Sequence, residues 1–432
     1  MPILRRRSGD RRVGMNHDEA STRPSNFFRD PPRSLSTRFL LKAGASGHVS
    51  VARGRTRAMV LSWGKGPSDE KRQKVAPKPK EPKSETEAYA SLKLIREAAK
   101  RIAPFAKVTP VHTCSSIDDM MSDETDKIDG ATIELFFKCE TFQKGGAFKF
   151  RGAMNSILQL SKAELKAGVV THSSGNHAGA LALAAKTKGI PSYIVVPEGA
   201  PQCKLDAIET YGGQITRCEA TVPDREATCA KIQTETGATL VPPYNYGPVI
   251  CGQGTIGLEF MEQVPDLDVV IVPISGGGMI SGIAAAVKGI RKECVVIAAE
   301  PIGAMAYAAD AFESKKRNQL VDDLPVPDTI ADGLKAKMGT LTWPVVRDKV
   351  DAVITVTEDE IVAAMKVIYE RMKLVVEPSG AVGLAAAMST QFKEFNRQNP
   401  PWGKVSKHKK VGVVLCGGNV DLALLAKLFA PS

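Results

Sequence analysis

The sequence predicts an α/β protein built on open parallel sheets with helices on both faces. Two observations predict it. Short, apolar, β-branched runs alternate with helical segments over most of the chain. Glycine-containing loops follow three of those runs, at the strand ends where open α/β sheets bind their ligands.

In chain order, residues 1–85 stand apart. The stretch 1–56 is rich in Arg, Ser and Gly, and residues 65–85 (KGPSDEKRQKVAPKPKEPKSE) form a Lys/Pro/Glu linker that cannot bury a core. Two readings of this tail stay open. One is a disordered extension. The other is a transit peptide, against which Asp10, Asp18, Glu19 and Asp30 count. The expected compartment is accordingly the cytoplasm, or a plastid or mitochondrion if the tail is an address. Apolar spacing predicts a helix over 87–103. Strands are expected at 134–138, 168–172, 191–196, 214–218, 268–274, 294–300 and 411–416. The segments QCKLDAIETYG and REATCAKIQTETG read as helices that each stop at a glycine. No repeat of 20–50 residues is present.

Composition narrows the class. A chain of 432 residues has room for two or three domains. Its 43% hydrophobic and 24% charged residues are ordinary for a globular protein, and no apolar run is long enough to span a membrane. The net charge of +11 belongs to the tail: residues 1–80 hold 19 Lys and Arg against 6 Asp and Glu, a balance of +13, leaving −2 for the rest. A near-neutral body argues against nucleic-acid binding. The eight cysteines include no CxxC, and the six histidines show no ligand spacing. Reduced, buried thiols in a reducing compartment are expected.

Four segments carry candidate chemistry. His172-Ser173-Ser174-Gly175-Asn176-His177 opens a helix, whose free N–H groups make either an anion site or an ordinary Ser/Asn cap. Ser275-Gly276-Gly277-Gly278-Met279 follows a strand, and its glycines let amides turn inward around a phosphate or form a tight turn. It is neither GxxxxGKS nor a first-strand GxGxxG, so nucleotide folds are poorly supported. Cys416-Gly417-Gly418-Asn419 ends the last strand; Cys416 points into the same cleft or is a buried structural thiol. Lys149, in KGGAFKFRG, starts a helix beside aromatic residues, where its pKa should fall and its amine can form a Schiff base. Each segment has a bland alternative. Together they meet the requirements of pyridoxal phosphate: a phosphate cup, an amine for its aldehyde, an asparagine, and a small polar group for its ring nitrogen.

At these residues the chain resembles a known family. FFKCETFQKGGAFKFRGA, SSGNH, SGGGM, EPSGA and CGGNVD, in this order, are similar to the fold type II pyridoxal-phosphate enzymes, in particular the group of serine racemases and serine/threonine dehydratases, with the plant-type racemases nearest. GQGTIGLE, TIADGLK, LTWPVVRD and VTEDEI extend the resemblance, which covers about residues 88–428. It implies two open twisted sheets flanked by helices, with a small domain (168–245) inserted into a large cofactor-binding domain (86–167 and 246–432). It also implies a homodimer acting on a small hydroxy-amino acid; the near-neutral body and the lack of a long apolar run lead us to expect no nucleic-acid or membrane partner.

The resemblance implies roles for individual residues. Lys149 would be the Schiff-base lysine and work on one face of the substrate; Ser174 would move a proton on the other. Phe148 would pack under the cofactor ring, Asn176 would bond its hydroxyl, Glu377 would lie near it, and Gly276, Gly277, Gly278 and Met279 would hold the phosphate. Cys416 stands where racemases have serine and would face the ring nitrogen. Ser173, Ser174, Gly175, Asn176 and His177 would hold the substrate carboxylate, with Arg225 closing over it. A divalent cation (Mg2+, Ca2+ or Mn2+) would use Glu300, Ala308 and Asp310 if the loop carries a four-residue insertion; without it position 306 is alanine and the loop resembles that of a metal-free dehydratase, and the bland reading is that both acids are solvated helix-end charges. ATP as effector would use Ser115, Ser116, Ile117, Lys144, Tyr211, Lys373 and Asn419. The expected activity is interconversion of L- and D-serine together with elimination of serine to pyruvate and ammonia. One alternative is a threonine, serine or 3-hydroxyaspartate dehydratase with little racemisation; another is a non-catalytic amino-acid-binding regulator. The short stretch after CGGNVD leaves no room for a feedback-sensing domain of the biosynthetic dehydratases.

Overall fold

The computed structural model describes residues 85–122, 132–173, 175–199, 202–304, 309–398 and 408–430. All lie within one compact unit, Lys78–Ser432. The described residues form ten strands: β1 (Val111–His112), β2 (Thr132–Cys139), β3 (Val169–His172), β4 (Ser192–Pro197), β5 (Gln214–Cys218), β6 (Thr239–Leu240), β7 (Val269–Pro273), β8 (Val295–Pro301), β9 (Ala352–Val356) and β10 (His408–Leu415). They make a six-stranded sheet in the order β1-β2-β10-β7-β8-β9 and a four-stranded sheet in the order β5-β4-β3-β6. All pairings are parallel except β1 with β2. Helices connect the strands, as parallel pairing demands.

The seven strands expected from sequence are present as β2, β3, β4, β5, β7, β8 and β10. Three were not foreseen. β1 and β6 have two residues each, too short to show a period. β9 lies in the apolar run DAVITV and pairs with β8. The helix expected over 87–103 starts later, at Leu92–Ile102, because Ser91 caps it by accepting from the Leu94 amide. Residues Glu85–Ala88 form a separate 3-10 turn.

The strand periodicity of two explains how both sheet faces are covered. Along β7, Val269 and Ile271 face a core built with the helix Pro378–Met388. Val270 and Val272 face the opposite core, built with the helices Gly247–Gln263 and Gly278–Ile290. In the second sheet Val169, Ile194 and Val196 pack on the helix Asn176–Lys188, while Val170 and Val195 pack on the helix Val222–Thr236.

The helix Lys149–Ile157 gives Phe150, Ala153, Met154 and Ile157 to the core of the four-stranded sheet. It also crosses the helix Gly247–Gln263 so closely that a Cβ on Gly252 would stand 2.6 Å from the Gly152 Cα. On the other flank a Cβ on Gly282 would stand 2.2 Å from the Ile250 carbonyl oxygen. The glycines of GQGTIG thus serve helix packing, with no room for a methyl group.

Fold and sheet order position the site. β2, β10 and β7 are neighbours, so the loops at their carboxyl ends converge: the segment leading to Lys149, the segment Cys416–Asn419, and the triglycine loop.

Candidate active site

Lys149 begins its helix with Phe148 as N-cap residue. It is partly buried, and its Nζ donates to the Pro243 carbonyl oxygen at 2.9 Å. Burial lowers its pKa to about 8, against the opposing pull of Cys416 and Glu377. The Phe148 ring centroid lies 5.0 Å from the Nζ, and the Phe148 amide donates to the Cys416 carbonyl oxygen at 3.1 Å. That bond joins the lysine loop to the end of β10.

Cys416 is fully covered, and its thiol donates to the Ser379 carbonyl oxygen at 3.4 Å. Burial, with Glu377 nearby, pushes the thiol well above its ordinary pKa, so it stays protonated. Glu377 is 3% exposed and precedes the helix Pro378–Met388. Its amide donates to the Gly417 carbonyl oxygen at 3.1 Å, and its Oε1 accepts from Asn176 Nδ2 at 2.7 Å. A Cβ on Gly417 would stand 2.4 Å from Glu377 Oε1, so a side chain there would displace that carboxyl group. Asn419 Nδ2 donates both to Asn176 Oδ1 at 2.9 Å and to the Gly145 carbonyl oxygen at 2.7 Å. Residues from both sheets therefore meet here.

The triglycine loop is fixed by its neighbours. Thr342 Oγ1 donates to the Gly276 carbonyl oxygen at 2.7 Å, and the Ser275 hydroxyl donates to the Ala336 carbonyl oxygen at 2.7 Å while accepting from the Ala336 amide at 2.9 Å. Gly277 has φ 85°, in the region that favours glycine. A Cβ on Gly276 would stand 2.4 Å from the Tyr244 ring, and one on Gly278 2.8 Å from Tyr244 Cβ. Gly277 precedes the thirteen-residue helix Gly278–Ile290 without a side-chain cap, so the first-turn amides there keep their donors for a ligand. Met279 is buried in that first turn. The chain passes from Pro243, which holds Lys149, directly to Tyr244, which packs on the loop. Lysine and glycine loop therefore share one segment.

These features fit pyridoxal phosphate. The cradle excludes any side-chain atom, the helix start is uncapped, the amine has a depressed pKa, and the polar groups Asn176, Glu377 and Cys416 converge beside it.

The other expected residues divide. Ser174 and Ala308 lie outside the described residues. Ser173 Oγ accepts from the Gly175 amide at 3.3 Å, and Gly175 precedes the helix Asn176–Lys188, again without a side-chain cap. The His177 side chain turns away from this loop start: it is 2% exposed and bonded through Nε2 to the Val241 carbonyl oxygen at 2.9 Å. Arg225 is half-buried and bonds the Ala220 and Thr221 carbonyl oxygens. Its charge reaches His172, whose pKa is lowered chiefly by burial, but no described contact joins it to Lys149.

Glu300 and Asp310 form a buried carboxyl pair, 3% and 6% exposed, so they are not solvated helix-end charges. Glu300 accepts from the Ala311 and Phe312 amides at 2.9 and 2.8 Å, and Asp310 accepts from the Met338 amide at 2.7 Å. Burial and their mutual repulsion hold Glu300 well above the usual carboxylate range. Among the described residues no group of three or more His, Cys, Asp or Glu side chains is arranged to hold a metal.

Of the residues expected for ATP, Lys373 and Asn419 share a cavity of about 250 Å³ with Thr141, Phe142, Gly146 and Val375. Lys144 Nζ sits 5.6 Å from the Phe150 ring centroid. Ser115 and Ser116 start the short helix Ser115–Met121. Ile117 is fully buried in the core, and Tyr211 approaches Gly179; no described contact brings these to the cavity.

Sequence reasoning missed Pro243, Tyr244 and Thr342. The signal available was the run PPYNYG, whose two prolines and two tyrosines lie between the four-stranded sheet and the helix Gly247–Gln263.

Comparison with known proteins agrees with this geometry. Residues 102–417 match the family described as pyridoxal-phosphate dependent enzyme. A serine racemase of Arabidopsis thaliana is 52% identical over 347 residues, spanning 80% of this chain and 98% of the relative. The structure of maize serine racemase is 50% identical, with a TM-score of 0.71 over 78% of this chain and 96% of that one. The processed form of threonine deaminase isoform 2 from Solanum lycopersicum is 30% identical, with a TM-score of 0.68 over 78% of this chain and 86% of that one. The chain, with its lysine, uncapped glycine loop and converging polar groups, belongs to the pyridoxal-phosphate dependent enzyme family.

Proposed function

We propose that this protein is a serine racemase that interconverts L- and D-serine and also eliminates L-serine to pyruvate and ammonia. The observation that carries the chemistry is Lys149, an amine with its pKa pulled toward neutrality and bonded to Pro243, whose neighbour Tyr244 packs on the triglycine loop. The similarity to serine racemases over about four-fifths of the chain supports the substrate.

When bound, pyridoxal phosphate supplies an electron sink conjugated to the substrate α-carbon. In this reading the amides at 276–279 would hold its phosphate, Asn176 would bond its hydroxyl, and Phe148, Glu377 and Cys416 would pack around its ring. Cys416, held as a thiol, would be a weak partner for the ring nitrogen. Lys149 anchors the cofactor. Once freed, its amine takes the α-proton on one face, a task suited to a pKa near 8. Ser174 returns a proton on the other face, and reprotonation there inverts the centre. The uncapped start of the helix Asn176–Lys188, with Ser173, binds the substrate carboxylate, and Arg225 closes over it. Residues 168–245 act as the small domain in that closure.

Two finer readings join the proposal. Glu300 and Asp310 supply two carboxyl groups of a Mg2+ site, a use that explains why two acids are buried together, a bound cation favouring their ionised forms. The cavity of Lys373 and Asn419 takes an ATP phosphate. The protein works as a homodimer.

The test is to incubate the protein with L-serine, L-threonine and 3-hydroxyaspartate, with and without Mg2+ and ATP, and to measure D-serine and keto acid. D-serine together with pyruvate is expected. Keto acid alone would make it a dehydratase, and no product at all a binding protein. For Ser174→Ala, racemisation is expected to fall by about 100-fold or more while elimination of L-serine falls far less. Equal losses would contradict the assignment of Ser174 to the second face.

A further inference from the structure

The segment Val241–Pro243 holds two side chains of the site by its backbone. His177 Nε2 bonds the Val241 carbonyl oxygen, and Lys149 Nζ bonds the Pro243 carbonyl oxygen, both at 2.9 Å. We propose that the Pro243 carbonyl is the seat of the free Lys149 amine during turnover, and that His177 is a positioning residue that fixes this seat through Val241. The inference rests on the assignment of Lys149 as cofactor anchor and goes beyond it.

The backbone of the segment supplies the first reason. Val241 continues the pairing with β3, its amide donating to the Val170 carbonyl oxygen at 2.9 Å. Residues 242 and 243 are both proline and have no N–H to donate. After Val241 the backbone therefore cannot tie itself down by its own donors until Tyr244. His177 supplies the missing restraint by gripping the last carbonyl before the prolines. Downstream, Tyr244 is wedged against Gly276 and Gly278. Held at both ends and stiffened by two fixed φ angles, the Pro243 carbonyl has little freedom.

His177 is built for this task and for little else. A carbonyl only accepts, so Nε2 carries the proton and Nδ1 is left bare. His177 Nδ1 is buried and has no hydrogen-bond partner. Burial, with the Lys149 charge nearby, lowers the pKa of the ring to about 3. The imidazole is thus a neutral donor across the working range and does not trade protons with the substrate. Leaving that acceptor buried and unpaired costs stability. The bond to Val241 is what this site gains in return.

The seat matters because every turnover that uses the Lys149 nitrogen covalently must also free it. A free amine in a part-buried site needs an acceptor. Pro243 provides one at a fixed place, so the base stands at one position relative to the α-carbon. An error of about 1 Å in such a position costs roughly 100-fold in rate.

Three variants of the holoenzyme test this: His177→Leu, which removes the donor; His177→Gln, whose amide nitrogen reaches the Nε2 position; and His177→Asn, whose shorter amide does not. Two rates are read. One is exchange of the L-serine α-hydrogen with deuterated solvent. The other is recovery of cofactor absorbance when protein stripped with hydroxylamine is given pyridoxal phosphate, which involves no amino acid. The Leu and Asn variants are expected to lose about 10- to 100-fold in both rates at unchanged KM, and Gln to stay within about threefold of wild type. Equal losses in all three, or none in Leu, would overturn the proposal. Should Leu fail to fold, the contrast between Gln and Asn decides. If wild type regains its cofactor but exchanges no serine hydrogen, the racemase reading fails while the seat is still judged by the second rate. If wild type does not regain it, the seat falls with the anchor.

Discussion

Lys149→Ala is expected to remove the visible absorbance of the bound cofactor and to abolish both D-serine and pyruvate formation. Lys149 is the amine bonded to Pro243, next to the Tyr244 that packs on the triglycine loop, and alanine leaves no nitrogen at that place. The assay is an absorbance spectrum with a chiral amino-acid measurement on the same sample. Retained absorbance resistant to dialysis after borohydride treatment would place the anchor elsewhere.

A stability effect should accompany this loss, with the opposite sign. The Lys149 pKa is lowered to about 8, so folding of the cofactor-free protein disfavours the charged form. The penalty is full below the folded pKa of about 8 and disappears as pH rises past the unfolded value of 10.5. Stability carried by this group therefore increases with pH between the two. Near neutral pH the penalty is about 2 kcal/mol once the lysine's remaining contact with the cleft is allowed for. Lys149→Met should accordingly melt higher than the cofactor-free wild type near pH 7, and the gap should close toward pH 10.

The second large effect is expected at Arg151, two residues along the same helix. Arg151 is fully buried, with Nε and Nη2 on the two Glu140 oxygens at 2.8 and 2.7 Å, and Nη1 and Nη2 on the Glu259 oxygens at 2.6 and 2.8 Å. Lys138, also fully buried, adds a bond to Glu259 at 2.7 Å, to the Thr109 carbonyl oxygen at 2.8 Å and to Gln263 at 2.9 Å. Two cations and two anions balance, and their donors and acceptors are shared. Arg151→Leu leaves both carboxylates facing one buried lysine. The expected cost is about 3–5 kcal/mol, because breaking a buried pair strands a charge. Urea denaturation measures it. A loss below about 1 kcal/mol would mean that the cluster is solvated in solution.

Much of this was legible in the sequence, and the reasons differ by element. β7 and β10 are apolar runs followed by glycines, so strand and ligand loop could be read together. The FKFRGA segment announced the lysine, but not that its arginine anchors a buried charge cluster. Glu140 and Glu259 lie 11 and 108 residues from Arg151, and no local pattern reports such pairing. β1 and β6 escaped because two residues carry no period. The segment 241–244 escaped because its role lies in carbonyl oxygens, which every residue type possesses. Glu300 and Asp310 were read as a pair, yet their burial came from the packing of β8 against its neighbours rather than from their spacing.

Cys416 carries one further consequence. Oxidants and alkylating reagents attack the thiolate in reach of solvent. This sulfur is fully covered and stays protonated. Of the free thiols, Cys416 is therefore a poor target for peroxide or iodoacetamide, whereas Cys114 and Cys218 are partly exposed.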